Sequence, residues 1–219
     1  MIELLNVDCM EFMRTLPDKA FDLAIVDPPY GINVGEGLGK WMRQRQVAEK
    51  AWDQSIPTPE YFSDLSRTSE SQIIWGGNYF GLPPSRCWIV WDKGEGFEDR
   101  SYAEVELAWT SFDANARKFK HDPLAKGDYR GKIHPTQKPV ALYRWLLKNY
   151  AKPGQRILDT HGGSMSIAIA CDIEGFDLTL CEIDKDYFEA GKKRLEQHQA
   201  QPRLFEPEKV EPGEQPSMF

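Results

Sequence analysis

Apolar residues along this chain fall into short runs separated by amphipathic stretches. The runs at residues 2–6, 21–26, 72–75, 87–91, 103–110, 156–158 and 178–181 have the length of buried strands. Between them, residues 9–16, 59–69, 139–150, 166–174 and 184–197 read as helices. In 139–150, Val140, Leu142, Tyr143, Leu146 and Leu147 recur at helical spacing. Asp8 stands where it would N-cap the first helix. Seven strands alternating with helices predict an α/β fold, a doubly wound, mostly parallel seven-stranded sheet with helices on both faces. Two stretches break the pattern. Residues 31–58 are rich in Gly, Gln and charge, and a long irregular segment of this kind is expected to be a mobile loop region. From residue 201 on, Pro, Glu and Gln dominate, so 201–219 is expected to be a disordered tail behind a single domain over 1–200.

Composition narrows the class. A hydrophobic fraction of 41% supports an ordinary core. No apolar stretch approaches the ~20 residues that span a bilayer. The start Met1-Ile-Glu-Leu-Leu lacks a basic region followed by a long apolar one, so a cytoplasmic protein is expected. Cys9, Cys87, Cys171 and Cys181 show no Cys-x-x-Cys spacing and read as reduced thiols, not as a metal site. The net charge is −7, yet residues 112–138 run the other way. Arg117, Lys118, Lys120, Lys126, Arg130, Lys132 and Lys138 stand there against Asp113, Asp122 and Asp128. Positive charge is therefore local, and any polyanion would bind weakly and with salt dependence.

Two places carry chemistry. The strand at 21–26 runs into Asp27-Pro28-Pro29-Tyr30. The prolines fix φ and remove two backbone donors, so a carboxylate, a carbonyl and an aromatic ring are held together at the end of a strand. Asp27 and the Pro28 carbonyl suit the two hydrogens of an exocyclic amine, and Tyr30 suits a flat ring. The second place is the strand at 156–158 followed by Asp159, Gly162-Gly163-Ser164 and a helix, with the next strand ending at Glu182. Glycines admit a ligand to the backbone, a helix start offers free N–H groups, and the acid accepts from ribose hydroxyls. Dinucleotide sites share this spacing, which leaves the cofactor open; the absence of Gly-x-Gly-x-x-Gly counts against NAD.

Asp27-Pro-Pro-Tyr30, His134-Pro-Thr-Gln-Lys-Pro139 and Ile157-Leu-Asp159-Thr-His-Gly-Gly-Ser164 resemble, in that order, the motifs of the amino-methyltransferases that modify adenine N6 in DNA. The segments Ile73-Ile-Trp-Gly-Gly-Asn-Tyr-Phe80 and Trp88-Ile-Val-Trp-Asp-Lys93 resemble further blocks of that family. With the catalytic motif first and the cofactor loop last, the order resembles the β group, a circular permutation of the Rossmann-like class I methyltransferase fold. The resemblance implies S-adenosylmethionine as cofactor, flipped adenine in DNA as substrate, and Asp27, Pro28, Pro29 and Tyr30 as the catalytic set. It places Asp8 and Cys9 at the cofactor's adenine and Glu182 at its ribose. Asp159, His161, Gly162, Gly163 and Ser164 would lie at the methionine end, with His134, Thr136 and Lys138 near the carboxylate. DNA contacts are expected from Lys40, Arg43 and Arg45 in the loop region and from Lys118, Lys120 and Arg130 in a short target-recognition region at 112–133. A homodimer fits the group's habit.

The cofactor loop departs from the family's form: Thr160 stands for Pro, His161 for Phe and Met165 for Gly. A Met at a Gly position implies that positive φ is not needed there, or that the turn is reshaped; His161 would pack over the methionine end as a flat ring. Two rivals stay open. Cytosine-N4 methylation uses the same amine chemistry, although that family commonly has Ser where Asp27 stands. A non-catalytic nucleic-acid-binding protein that keeps the fold is the rival from another class.

Overall fold

The computed structural model describes residues 1–32, 53, 55–100 and 102–201. Lys40, Arg43 and Arg45, most of the 31–58 region, and the tail beyond residue 201 lie outside the described residues. Eight strands form one sheet: β1 Ile2–Leu5, β2 Phe21–Val26, β3 Ser69–Trp75, β4 Ile89–Asp92, β5 Val105–Thr110, β6 Arg117–Lys120, β7 Arg156–Asp159 and β8 Asp177–Cys181. Among the described residues five α-helices accompany them: α1 Cys9–Thr15, α2 Pro59–Thr68, α3 Val140–Tyr150, α4 Ser166–Glu174 and α5 Lys185–Gln199. The strand order is β1-β8-β7-β2-β3-β5-β4-β6. Only β5 runs against its neighbours β3 and β4. Among the described residues no helix is long and apolar enough to cross a membrane.

The strand alternation sorts side chains into two layers. Leu23 and Ile25 of β2, Ile73 and Trp75 of β3, and Ile89 and Trp91 of β4 pack with Leu142 and Leu146 of α3 and with α4 and α5 residues. Ala24, Val26, Ile74 and Trp109 face the other way, onto Met13 of α1 and Tyr61 and Leu65 of α2. Helices therefore cover both faces, as the pattern predicts.

The sheet has one strand more than the seven expected. Strand β6 is Arg-Lys-Phe-Lys, which reads as a solvated basic segment; it joins the sheet through parallel backbone pairing with β4, Ile89 opposite Arg117 and Asp92 opposite Lys120. Its Phe119 ring lies 5.4 Å from Trp145 of α3. Several boundaries also shift. Ser69 opens β3 instead of ending α2, and β4 and β5 begin two residues later than the apolar runs suggest.

The topology sets where chemistry collects. The carboxyl ends of the parallel strands deliver Asp27, Asp159 and Glu182 to one edge. The antiparallel β5 delivers its opposite end there, with Glu106. The chain leaves β2 toward β3 and β7 toward β8, so the crevice between β2 and β7 is a switch point of the kind that binds ligands.

Candidate active site

The tetrapeptide is braced from three sides. Asp53 accepts hydrogen bonds from the backbone N–H groups of Tyr30 at 2.7 Å and Gly31 at 2.9 Å. The Tyr30 ring packs against Gly76, whose φ is +70°; a Cβ there would come within 2.2 Å of ring atom Cε1. Tyr79 stacks on Tyr30 with centroids 5.1 Å apart and planes 15° from parallel, and Phe80 meets the ring edge-on at 6.2 Å.

Both oxygens of the Asp27 carboxylate are engaged. The Tyr30 hydroxyl donates to Oδ1 at 2.5 Å, and the Lys138 ammonium donates to Oδ2 at 2.5 Å. Lys138 also reaches the Tyr30 hydroxyl at 3.2 Å and Glu106 Oε2 at 3.0 Å. The second Glu106 oxygen holds Lys93 at 2.7 Å. Burial works to raise the Glu106 carboxyl, but the Lys138 and Lys93 ammoniums prevail and hold it at about 2. Burial raises the Asp27 carboxyl, against the pull of Lys138. Burial works against the charge on Lys138, yet Asp27 and Glu106 keep it protonated. Lys138, assigned through the resemblance to the cofactor carboxylate, thus has its ammonium on Asp27.

Across the crevice lies the glycine turn. A Cβ on Gly162 would stand 2.3 Å from Leu180 Cδ2, and Gly163 has φ +48°. The Gly163 N–H donates to Glu182 Oε2 at 2.7 Å, and the Asp184 N–H donates to Oε1 at 2.8 Å, so Glu182 fastens this turn to the start of α5. Asp8 caps α1 by accepting from Met10 N–H at 2.7 Å. Burial, then Asp8, pushes the neighbouring Cys9 thiol up to about 12. The His134 ring lies over Gly163 and meets Tyr187 edge-on at 4.4 Å. Thr136 donates its N–H to His134 Nδ1 at 3.3 Å. Burial, helped by Lys132 and Lys138, holds His134 down at about 3, so it is neutral.

Asp159 is 3% exposed and accepts one backbone bond, from His161 N–H at 3.0 Å. Burial, reinforced by the charges of Asp27 and Glu182, pushes its carboxyl up to about 8. A buried acid beside this turn fits the ammonium end of an amino-acid-bearing nucleoside. The departures at Thr160 and His161 form a chain of contacts. Tyr61 hydroxyl and Thr160 Oγ1 are 2.7 Å apart, Thr160 Oγ1 and His161 Nδ1 2.9 Å, and His161 meets Tyr61 edge-on. Burial holds His161 at about 4, which makes it a neutral packing group. Ser164 Oγ pairs with Ser166 Oγ at 3.1 Å.

The Met165 expectation is corrected. Its φ is +55° and ψ +30°, so the left-handed turn persists without glycine. Its side chain is fully buried against Gly191 of α5, where a Cβ would lie 2.6 Å from Met165 Cγ and 2.9 Å from Sδ. Side-chain packing offsets a backbone cost of about 1–2 kcal/mol. Gly191→Ala is therefore expected to lower the unfolding free energy by about 1–3 kcal/mol. Combined with Met165→Ala it should cost less than the two single losses summed, because the added methyl then fills vacated space. Denaturant titration of all three variants measures this, and strict additivity would refute the contact.

Of the basic residues, Lys118 pairs with Asp92 at 3.2 Å, Lys120 sits exposed at the end of β6, and Arg130 is exposed in the segment leading back to Lys138. The sequence reading omitted Lys93, Glu106, Tyr79, Asp53 and Tyr61. One signal was available: an acid at 106 inside the apolar run Val-Glu-Leu-Ala-Trp.

Comparison with known proteins gives the family and the fold. A family model described as DNA methylase, of N6 and N4 type, matches residues 39–193. A protein of Escherichia coli (strain K12) named "Putative methylase YubD" is 26% identical over 214 residues, covering 89% of this chain and 90% of that protein. The crystal structure of the M1.HpyAVI–SAM complex superposes with TM-score 0.58 at 19% identity, covering 89% of this chain and all of that one. The PvuII DNA methyltransferase (cytosine-N4-specific) superposes with TM-score 0.57 at 14% identity, covering 95% of this chain and 89% of that one. At these identities the superpositions establish the fold.

Proposed function

The chain belongs to the N6/N4 DNA methylase family, and on that premise we propose that it transfers a methyl group from S-adenosylmethionine to the N6 amine of a flipped adenine in DNA. The observation that carries this reading is the placement of Asp27, at the carboxyl end of β2, across the crevice from the Asp159–Gly163 turn. The cofactor supplies an electrophilic methyl on a sulfonium. Asp159 receives the cofactor's ammonium, Gly162 and Gly163 let Leu180 and the His134 ring pack against the turn, and Glu182 shapes the turn and accepts from the ribose hydroxyls.

The amine lone pair of adenine is delocalised into the ring and is a weak nucleophile. Hydrogen bonds from the amine to Asp27 and to the Pro28 carbonyl localise that lone pair. Alignment with the methyl supplies the remaining advantage by proximity. The charge that develops on nitrogen is stabilised by Asp27. The amine enters by sharing Asp27 with Tyr30 and Lys138, and a base that stacks on the covered face of Tyr30 displaces Tyr79, a residue that is 42% exposed. In a duplex the base must leave the stack first.

An Asp at position 27 favours adenine. The fold shared with the cytosine-N4-specific PvuII enzyme favours the second reading, cytosine-N4 transfer. We assign target reading to the 31–58 and 112–133 regions, with Lys120 and Arg130 on the DNA side, and we expect a cytoplasmic homodimer. Labelled-methyl transfer to DNA lacking other methylation, followed by nucleoside analysis, should return N6-methyladenine. N4-methylcytosine would select the second reading, and no labelled nucleoside would leave only the binding-protein rival.

A further inference from the structure

Four acidic and basic side chains, Asp27 of the tetrapeptide and Lys138, Glu106 and Lys93 behind it, meet with uneven connectivity. Asp27 and Glu106 share one ammonium, that of Lys138, at 2.5 and 3.0 Å. Among the described residues Glu106 alone has a second cation, Lys93 at 2.7 Å. The exposures differ as well. The Lys138 side chain is 2% exposed, whereas those of Asp27 and Glu106 are 17% and 23% exposed. The Asp27 and Glu106 side chains are thus part-exposed while the ammonium is buried; Glu106 Oε2 itself is buried and meets Lys138 as an ion pair without a hydrogen bond. Lys138 lies over Trp75 at 5.3 Å, and Lys93 lies over Trp91 and Phe97 at 5.3 and 5.2 Å, so aromatic faces hold both cations in place.

A carboxylate that owns an ammonium outright is a poor partner for a neutral amine, because its charge is already spent on the stronger donor. Here the donor is divided. We propose that Glu106, anchored by Lys93, is a positioning residue for the transfer: by taking a share of Lys138 it leaves Asp27 the negative charge needed to accept the substrate amine's hydrogen bond and then its proton. This rests on the proposed function, which puts the amine on Asp27. As the nitrogen lone pair forms the bond to methyl carbon, the carbon–sulfur pair departs with sulfur. One N–H proton then passes to an Asp27 oxygen, and its bonding pair stays on nitrogen. Lys138 remains neutralised by Glu106 while Asp27 carries that proton, and Asp27 returns it to water.

Among the described residues the groups facing Asp27 are Tyr30 from its own loop, Lys138 from the segment before α3, Glu106 from β5, Asp159 from β7, Tyr61 from α2 and Tyr143 from α3. Burial holds the three tyrosines well above 10, so they stay neutral. Asp159 titrates near 8 and must be distinguished.

The test is NMR titration of carboxyl-labelled aspartate, with Asp27 and Asp159 assigned from their Asn variants. Glu106→Gln removes the competitor, so Lys138 turns wholly to Asp27. The Asp27 midpoint should fall by about one pH unit or more. Single-turnover methyl transfer should fall about tenfold or more while DNA and cofactor binding persist. Lys138→Met should move the midpoint upward. Lys93→Gln, which frees Glu106 to compete harder, should move it the same way and serves if Lys138→Met fails to fold. An unmoved midpoint in a folded Glu106→Gln protein overturns the proposal, as does a shift of the same sign in all three. A wild-type protein without methyl transfer would instead sink the proposed function, and the NMR titration would still decide the charge sharing.

Discussion

Asp27→Ala is expected to reduce methyl transfer by about 10³-fold or more while cofactor affinity changes little. Three contributions vanish together: the acceptor for the amine, the negative charge facing the developing cation, and the first stop for the proton. Each such group contributes about 10²–10³ by itself when removed from comparable sites. The cofactor turn touches Asp27 only through its field. That field raises the Asp159 carboxyl, so its loss leaves Asp159 readier to ionise and cofactor binding intact or slightly tighter. Tyr30→Phe makes the contrast. It deletes the hydroxyl bonded to Asp27 at 2.5 Å and keeps the ring stacked on Tyr79, so activity should fall about tenfold, near the worth of one hydrogen bond to a charged group. Rapid-quench transfer and calorimetric cofactor titration on the same preparations measure both. Turnover of Asp27→Ala within tenfold of wild type would contradict the assignment of the amine to this carboxylate.

Part of this architecture is legible in the chain because the sheet is buried on both faces. Strand β2 reads as Leu-Ala-Ile-Val because alternate side chains enter different cores, and α3 shows its inner face as Leu142, Tyr143, Leu146 and Leu147. The two chemical turns are legible too, since each follows an apolar strand and is built from Pro or Gly. What escaped depends on long-range placement. The Asp27–Lys138 pair joins residues 111 apart, and no local pattern announces it. Glu106 reaches the site because β5 alone runs antiparallel, so its first residues arrive where the other strands end. Strand β6 escaped because backbone pairing to β4 outweighs a basic side-chain pattern that looks solvated. Met165 keeps a left-handed turn through contact with Gly191, a partner that its own neighbours in sequence do not suggest.

Cofactor binding should release about one proton near pH 6.5. In the free protein, burial and then the charges of Asp27 and Glu182 push the Asp159 carboxyl up from the ordinary 3.8 to about 8, so at pH 6.5 it is protonated. An ammonium placed against it favours the ionised form, and the displaced proton goes to buffer. Affinity should therefore rise by about tenfold per pH unit from pH 6 toward 8 and level off above. Calorimetry at pH 6.5 in two buffers of different ionisation enthalpy counts the proton directly. The same shift has a consequence for folding. A carboxyl raised on folding contributes stability that is fully present below its unfolded value and is lost as pH climbs through the folded one. The free protein should thus weaken between about pH 4 and 8, and Asp159→Asn should remove that slope. The Asn variant should also bind cofactor about 10- to 100-fold more weakly at pH 8, the worth of a hydrogen bond to a charged group. Binding that is flat from pH 6 to 8 and exchanges no proton would mean that the ammonium lies elsewhere. A wild-type melting profile as flat as that of Asp159→Asn would mean that Asp159 is already ionised in the free protein, and the two measurements separate those failures.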